Sequence, residues 1–320
     1  MAFFLPMEET PEAPVAGQTY DVVIIGGGPA GLTAALYAAR GSISTAVLER
    51  DMPGGTVATT SQVENCPGCV EGSGADIGRH MLRQAVRFGA KFGSVEVTRL
   101  VLQVSPKEVW AGKDLYLARS LILAPGTRPR RLNVPGEQEY WGKGVSFCST
   151  CDAPLFKDKD IAVVGGGNSA LQESELLLRY VSHLTIIQHR DRLTATQVLQ
   201  DRVLGHPGAR VRFNSVIREI RGDGVVRSVL LEDTRSAAKE EMPVQGVFIF
   251  IGLLPNNDLL LGQLDTDEQG YVVTGPQMET KIPGVFVAGD VRRGAPRQIV
   301  TSASDGAVAA LSVLEYLRGK

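Results

Sequence analysis

The sequence predicts an α/β protein of two dinucleotide-binding, Rossmann-like domains, each a three-layer arrangement around a mostly parallel sheet. Two observations predict it. A strand, glycine turn, helix and second strand occur twice, with turns at Gly26-Gly27-Gly28-Pro29-Ala30-Gly31 and Gly165-Gly166-Gly167-Asn168-Ser169-Ala170. The 320-residue length leaves room for two cores, and 43% hydrophobic with 21% charged content is ordinary for a globular chain.

In the first copy, Tyr20–Gly26 is an apolar run ending in glycine, Pro29 opens a helix through Arg40, and Ala46–Glu49 forms the next strand. Gly26 permits the turn, Gly28 lets backbone approach a pyrophosphate, and Gly31 lets the helix pack on the strand. Pro29 and Ala30 complete that turn. Glu49 follows Gly26 by 23 residues, close to the spacing at which an acid grips a ribose.

The second copy begins 139 residues later, with Asp160–Val164 as strand, Ser169–Tyr180 as helix and His183–Gln188 as second strand. Gly165, Gly167, Asn168, Ser169 and Ala170 form its turn, Ala170 taking the place of the third glycine. Gln188 stands where the first copy has Glu49. A neutral amide there neither repels a ribose 2′-phosphate nor replaces a carboxylate on the 2′-hydroxyl. Near the C-terminus, Val285–Asp290 is a short apolar strand ending in Gly289-Asp290, which could bring Asp290 to a cofactor hydroxyl.

All four cysteines lie in Cys-x-x-Cys pairs, which points to thiol chemistry or metal rather than a secreted scaffold. Cys148-Ser149-Thr150-Cys151-Asp152 is the redox candidate. Two cysteines three apart at a helix start come within disulfide reach, and the helix N-terminus favours the thiolate. Asp152 is a plausible acid/base for exchange. Cys66-Pro67-Gly68-Cys69 is the second pair. A spacer of 78 residues between the pairs is far from that of a zinc ribbon, so no metal is expected. The second pair reads first as two small buried apolar side chains, with an auxiliary disulfide as the alternative.

A net charge of −2 argues against nucleic acid or an anionic membrane as partner. No apolar run reaches the roughly 18–20 residues of a membrane span, so a soluble, cytoplasmic protein is expected. Residues 1–19 read as a loose extension, since Met1–Leu5 lacks a basic flank and runs into Pro6, Glu8, Glu9 and Pro11.

With these residues the chain resembles the low-molecular-weight thioredoxin reductases. The likeness runs from about Tyr20 to the C-terminus and rests on Gly26–Gly31, Pro53-Gly54-Gly55, Val63-Glu64-Asn65, Cys148–Asp152, Gly165–Ala170, Ile251-Gly252 before Pro255-Asn256, and Gly289-Asp290 before Arg297-Gln298. The resemblance implies FAD held by residues 20–124 and 253–320, with residues 125–252 as an inserted NAD(P)H-like domain carrying the redox disulfide. It implies further FAD ligands at Gly54, Gly55, Asn65, Ala124, Asp290 and Ile299, with Arg297 and Gln298 beside the flavin ring. It implies Cys151 as the sulfur facing the flavin, Cys148 as the one attacking a thioredoxin-like partner, and Asp152 as acid/base. A homodimer follows from the same likeness, as does rotation of one domain against the other about residues 123–126 and 250–253.

The chain departs from that family at the electron donor. Where the family carries His-Arg-Arg-x-x-x-Arg, whose guanidiniums hold the 2′-phosphate of NADPH, this sequence reads Gln188-His189-Arg190-Asp191-Arg192-Leu193-Thr194. Arg190 stays in register and two arginines are replaced. NADPH, NADH and ferredoxin therefore remain open as electron donor, as does a different dinucleotide such as a second flavin in the retained glycine site. A flavin-dependent oxidase of small dithiols is the competing activity.

Overall fold

The computed structural model describes residues 11–60, 63, 65–69 and 72–319, apart from the side chain of Cys151. Residues 1–10 and Glu64 lie outside the described residues. Two compact units divide the chain, one formed by residues up to Arg128 together with Leu254–Lys320, the other by Pro129–Leu253.

The first unit opens with β1 (Thr19–Ile25), α1 (Pro29–Arg40) and β2 (Thr45–Glu49). Valine and isoleucine fill β1, and its inner residues are buried on both faces, as a central parallel strand requires. Then come α2 (Gly74–Arg87), β3 (Lys91–Ser94), β4 (Arg99–Val101), β5 (Lys107–Ala111) and β6 (Asp114–Leu123). Strands β3, β2, β1 and β6 run parallel in that order. The ten-residue β6 serves two layers. Its second half joins the parallel sheet, while its first half pairs antiparallel with β5, which pairs in turn with β4.

After β7 (Thr127–Pro129) the second unit repeats the plan with β8 (Val145–Ser146), α3 (Ser149–Asp152), β9 (Asp160–Val164), α4 (Asn168–Leu177), β10 (His183–Ile187), α5 (Gln197–Leu204) and β11 (Ala209–Arg212). Strands β12 (Ser215–Asp223), β13 (Val225–Asp233) and β14 (Lys239–Pro243) form an antiparallel meander, followed by β15 (Gly246–Ile249). The central sheet is parallel in the order β11, β10, β9, β15, β8. One face packs against Leu171, Leu177 and Leu199 of α4 and α5, the other against Ile217, Val229 and Leu231 of the meander.

The chain continues through β16 (Leu253–Pro255) to β17 (Val285–Val287), which adds parallel to β6, and ends in α6 (Ile299–Arg318). Helices α1, α2 and α6 bury Leu32, Leu82 and Ala309 on one face of the first sheet. Val109, Tyr116, Leu260 and Leu264 cover the other, which completes three layers. No helix among the described residues is long and apolar enough to cross a membrane.

The described part of the N-terminal extension is not loose. Phe92 donates to Glu12 O at 3.0 Å, Lys91 pairs with the Glu12 carboxylate at 2.9 Å, and Gly17 donates to Leu115 O at 2.7 Å. The segment borrows partners from β3 and β6, which its own composition does not reveal.

Candidate functional site

At the first glycine turn, Gly26 has φ +103°, and a Cβ there would stand 2.1 Å from Ala124 O. A Cβ on Gly31 would lie 1.8 Å from Gly26 O, so only glycine lets α1 reach the turn. Gly28 differs: its Cβ position has nothing nearer than Gly54 O at 4.0 Å, which leaves backbone open to an incoming pyrophosphate. Gly54 donates to Gly27 O at 2.8 Å, which seats the Pro53-Gly54-Gly55 loop against the turn. Glu49 is buried at the end of β2, where one carboxylate oxygen accepts Gly27 N–H and the other accepts Asp51 N–H at 2.7 Å. Its remaining lone pairs are what a ribose would use.

The Gly289-Asp290 end lies in the same unit. Gly289 follows β17 with φ +79°, and a Cβ there would come 2.9 Å from that of Ala30 on α1. Asp290 accepts Ser302 Oγ at 2.7 Å. Burial pushes the Asp290 carboxyl up, Ser302 and the charge of Arg297 pull it down, and Asp305 pushes it up again. Arg297 holds φ +61°, unusual for a side-chain-bearing residue, and stacks 4.9 Å above the Tyr271 ring. Gln298 caps α6, Ile299 is its first residue, and Asn65 Nδ2 donates to Gln298 Oε1 at 2.9 Å. These groups present an open glycine turn, a ribose-spaced acid and a half-buried aspartate within one unit, a donor and acceptor set that fits FAD.

The second glycine turn has the same backbone and different surroundings. Gly165 has φ +129° and would clash with Phe250 O at 2.2 Å if it carried a Cβ. Ala170 is fully buried at the third position. Gln188 is 2% exposed and donates to Arg192 O at 2.9 Å, so its amide closes the following loop instead of facing outward. Thr194 donates from both N and Oγ1 to Gly166 O, at 2.7 and 3.2 Å, and Thr196 N donates to Asn168 Oδ1 at 2.8 Å. The atom nearest a Cβ on Gly167 is Thr194 Oγ1 at 3.7 Å, so a neutral hydroxyl stands at the open face of this turn. Exposed Arg190 donates through Nε to His189 Nε2 at 3.3 Å.

The dithiol candidate heads α3. Cys148 is half-buried and disulfide-bonded. Its N–H donates to Ser146 Oγ at 3.0 Å, Ser146 Oγ donates back to Cys148 O at 3.2 Å, and Asp152 N–H returns to Cys148 O at 3.2 Å. Asp152 lines a cavity of about 300 Å³ with Phe156, Lys159, Val226 and Gln245. Glu173 of α4 faces Ser149; burial raises its carboxyl above the ordinary range, and the nearby Ser149 offsets part of that rise.

The sequence matches the pyridine nucleotide-disulphide oxidoreductase family over residues 20–306. It is 44% identical over 299 residues to the thioredoxin reductase of Listeria innocua, covering 93% of this chain and 94% of that one. It is 42% identical to the thioredoxin reductase of Bacillus subtilis over 93% of this chain and 95% of the other. The chain belongs to the thioredoxin reductase family. The crystal structure of Lactococcus lactis thioredoxin reductase superposes with a TM-score of 0.91 at 37% identity, covering 94% of this chain and all of that one. This thioredoxin reductase relative is thus an FAD-dependent disulfide oxidoreductase with two Rossmann-like domains.

One reading of the sequence is corrected. Cys66 and Cys69 are not two buried apolar side chains: both are half-buried, and they are joined as a disulfide. They sit in a chain reversal whose tip, Pro67-Gly68, is exposed, so the surface takes them rather than the core. Two contributors escape sequence reading altogether. Asp305 and Arg292 are joined by two 2.9 Å bonds, and Asp305 also accepts Gly289 N–H at 3.1 Å. Their one signal is an acid on the buried face of an otherwise small and apolar helix. Among the described residues no group of three or more His, Cys, Asp or Glu could hold a metal.

Proposed function

We propose that this enzyme passes electrons through FAD and a Cys148–Cys151 disulfide to thioredoxin or a similar protein disulfide. Gly26, Gly28, Pro29, Ala30 and Gly31 would hold the pyrophosphate of FAD, Glu49 the ribose, and Asp290 a further hydroxyl. Gly54, Gly55, Asn65 and Ala124 complete that site, with Arg297, Gln298 and Ile299 at the ring. Bound FAD supplies two-electron redox chemistry to the disulfide.

The chain's own residues do the exchange. Once reduced, the Cys148 thiolate attacks one sulfur of the partner disulfide; a mixed disulfide forms and the partner's second sulfur leaves, taking a proton from Asp152. Cys151 then attacks Cys148 Sγ, restoring the internal disulfide and releasing the partner as a dithiol. The observation that carries this reading is Cys148 itself: disulfide-bonded, half-exposed, at the start of α3, with Asp152 N–H folded back on its carbonyl. The family likeness supports a homodimer in the cytoplasm.

For the donor, the neutral Thr194 at the second turn and the outward His189 favour weak use of NADPH, with ferredoxin as the alternative source. Arg190 is the one residue of the family's arginine set in register here. Anaerobic addition of NADPH, NADH and reduced ferredoxin in turn, with flavin bleaching as readout, separates these donors. Fast bleaching by micromolar NADPH would return the chain to NADPH dependence.

A further inference from the structure

The Cys66–Cys69 disulfide lies outside everything assigned so far. It sits at the tip of a loop whose backbone is braced beneath it: Gly74 donates to Thr60 O at 2.9 Å, and Val63 donates to Gly72 O at 3.1 Å in an antiparallel bridge. At the tip Cys69 N–H closes on Cys66 O at 3.0 Å, with Pro67 and Gly68 between them. Proline at the first central position and a glycine with φ +82° at the second are the residues a type II turn requires. That turn holds the two Cα atoms 5.5 Å apart, within disulfide reach. The cysteines are thus brought together by turn chemistry, and the bond between them is not needed to close the loop.

A cross-link that serves stability usually closes a long loop or sits in a core. This one joins residues three apart, which restricts the unfolded chain very little. Pro67 and Gly68 are exposed, and no atom of the described residues lies within 4 Å of a Cβ placed on Gly68, so the turn between the two half-buried cysteines faces solvent. A disulfide that is only half-buried, at an exposed turn, is of the kind that exchanges. The loop is also fastened to the FAD-type unit's longest helix, since neighbouring Asn65 donates to Gln298, the cap of α6.

We propose that Cys66–Cys69 is a second redox-active disulfide, an exchange site that takes an electron pair from dithiols in solution. A thiolate of the reductant attacks one of the two sulfurs; a mixed disulfide forms and the other cysteine leaves as a thiolate. The reductant's second thiol then attacks the mixed bond. It departs as a disulfide, having lost two electrons and two protons, and Cys66 and Cys69 become two thiols. This site does not depend on the route through Cys148.

The test uses the full-length Cys148→Ser/Cys151→Ser variant under anaerobic conditions, treated with dithiothreitol in one arm and a reduced thioredoxin-type protein in the other. Each is quenched with an alkylating reagent and mapped by peptide mass spectrometry. Both Cys66 and Cys69 should be labelled in the folded protein and protected again after oxidised dithiothreitol is added. Labelling in the dithiothreitol arm alone supports the site with small dithiols as its class; labelling in both extends it to protein dithiols. A second measurement needs no change at Cys148: wild type should consume one dithiol equivalent per chain more than Cys66→Ser/Cys69→Ser. Labelling of Cys66 and Cys69 only in denaturant, or equal dithiol uptake by those two proteins, would overturn the proposal.

Discussion

Asp305 of α6 grips Arg292 through two parallel hydrogen bonds of 2.9 Å, Nε to Oδ2 and Nη2 to Oδ1, with both side chains largely withdrawn from water. The same carboxylate accepts Gly289 N–H, so one ion pair fixes the turn that delivers Asp290. Removing one member of such a pair leaves the other buried without compensation.

Asp305→Ala should therefore lower unfolding free energy by about 3–5 kcal/mol, measured from denaturant midpoints at constant slope. FAD should dissociate more readily from the variant, because the Gly289 turn loses its anchor. A loss below about 1 kcal/mol would place the pair among ordinary surface ion pairs.

Glu173 gives a pH prediction. Burial raises its carboxyl above its ordinary value of 4.5 in the folded state, so folding favours the protonated form. That contribution is fully present below the unfolded pKa and is lost as pH rises through the folded one. Glu173→Gln should flatten the fall in stability that the wild type shows as pH climbs from 4.5. Asp290 is raised in the same sense and leaves a residual slope. Urea midpoints for both proteins across this range check the sign; parallel curves would remove Glu173 from the account.

The second glycine turn, read as a nucleotide site, predicts a gain of function. Two charge-assisted contacts worth roughly 1.5–3 kcal/mol each, if additive, correspond to about two to four powers of ten in affinity. His189→Arg/Thr194→Arg should recover part of that range for NADPH and much less for NADH, read as the concentration that half-saturates flavin bleaching. Equal gains for both nucleotides would mean the arginines do not meet a 2′-phosphate.

Much of this site is legible in the sequence because its parts are local. The glycines at 26 and 31 announce their own clashes, and the spacing from Gly26 to Glu49 follows from one strand, one helix and the next strand. Gln188 and Thr194 stand out because they break a recognisable pattern. Asp305 and Arg292 are invisible for the opposite reason: their meeting depends on how α6 returns over the sheet, which no local pattern encodes. How far Cys66 and Cys69 stay in reach of solvent is likewise a tertiary matter, although Pro67-Gly68 between them already specifies an exposed turn. Glu12 and Gly17 find their partners on β3 and β6, which the apolar and proline-rich opening of the chain does not disclose.

On the proposed function, electrons leave the enzyme through Cys148. The most direct test is steady-state reduction of a thioredoxin disulfide by Cys148→Ser, supplied with whichever donor bleaches the wild-type flavin. Turnover should be abolished while FAD stays bound and is still reduced by the donor. Turnover by Cys148→Ser at the wild-type rate would contradict it.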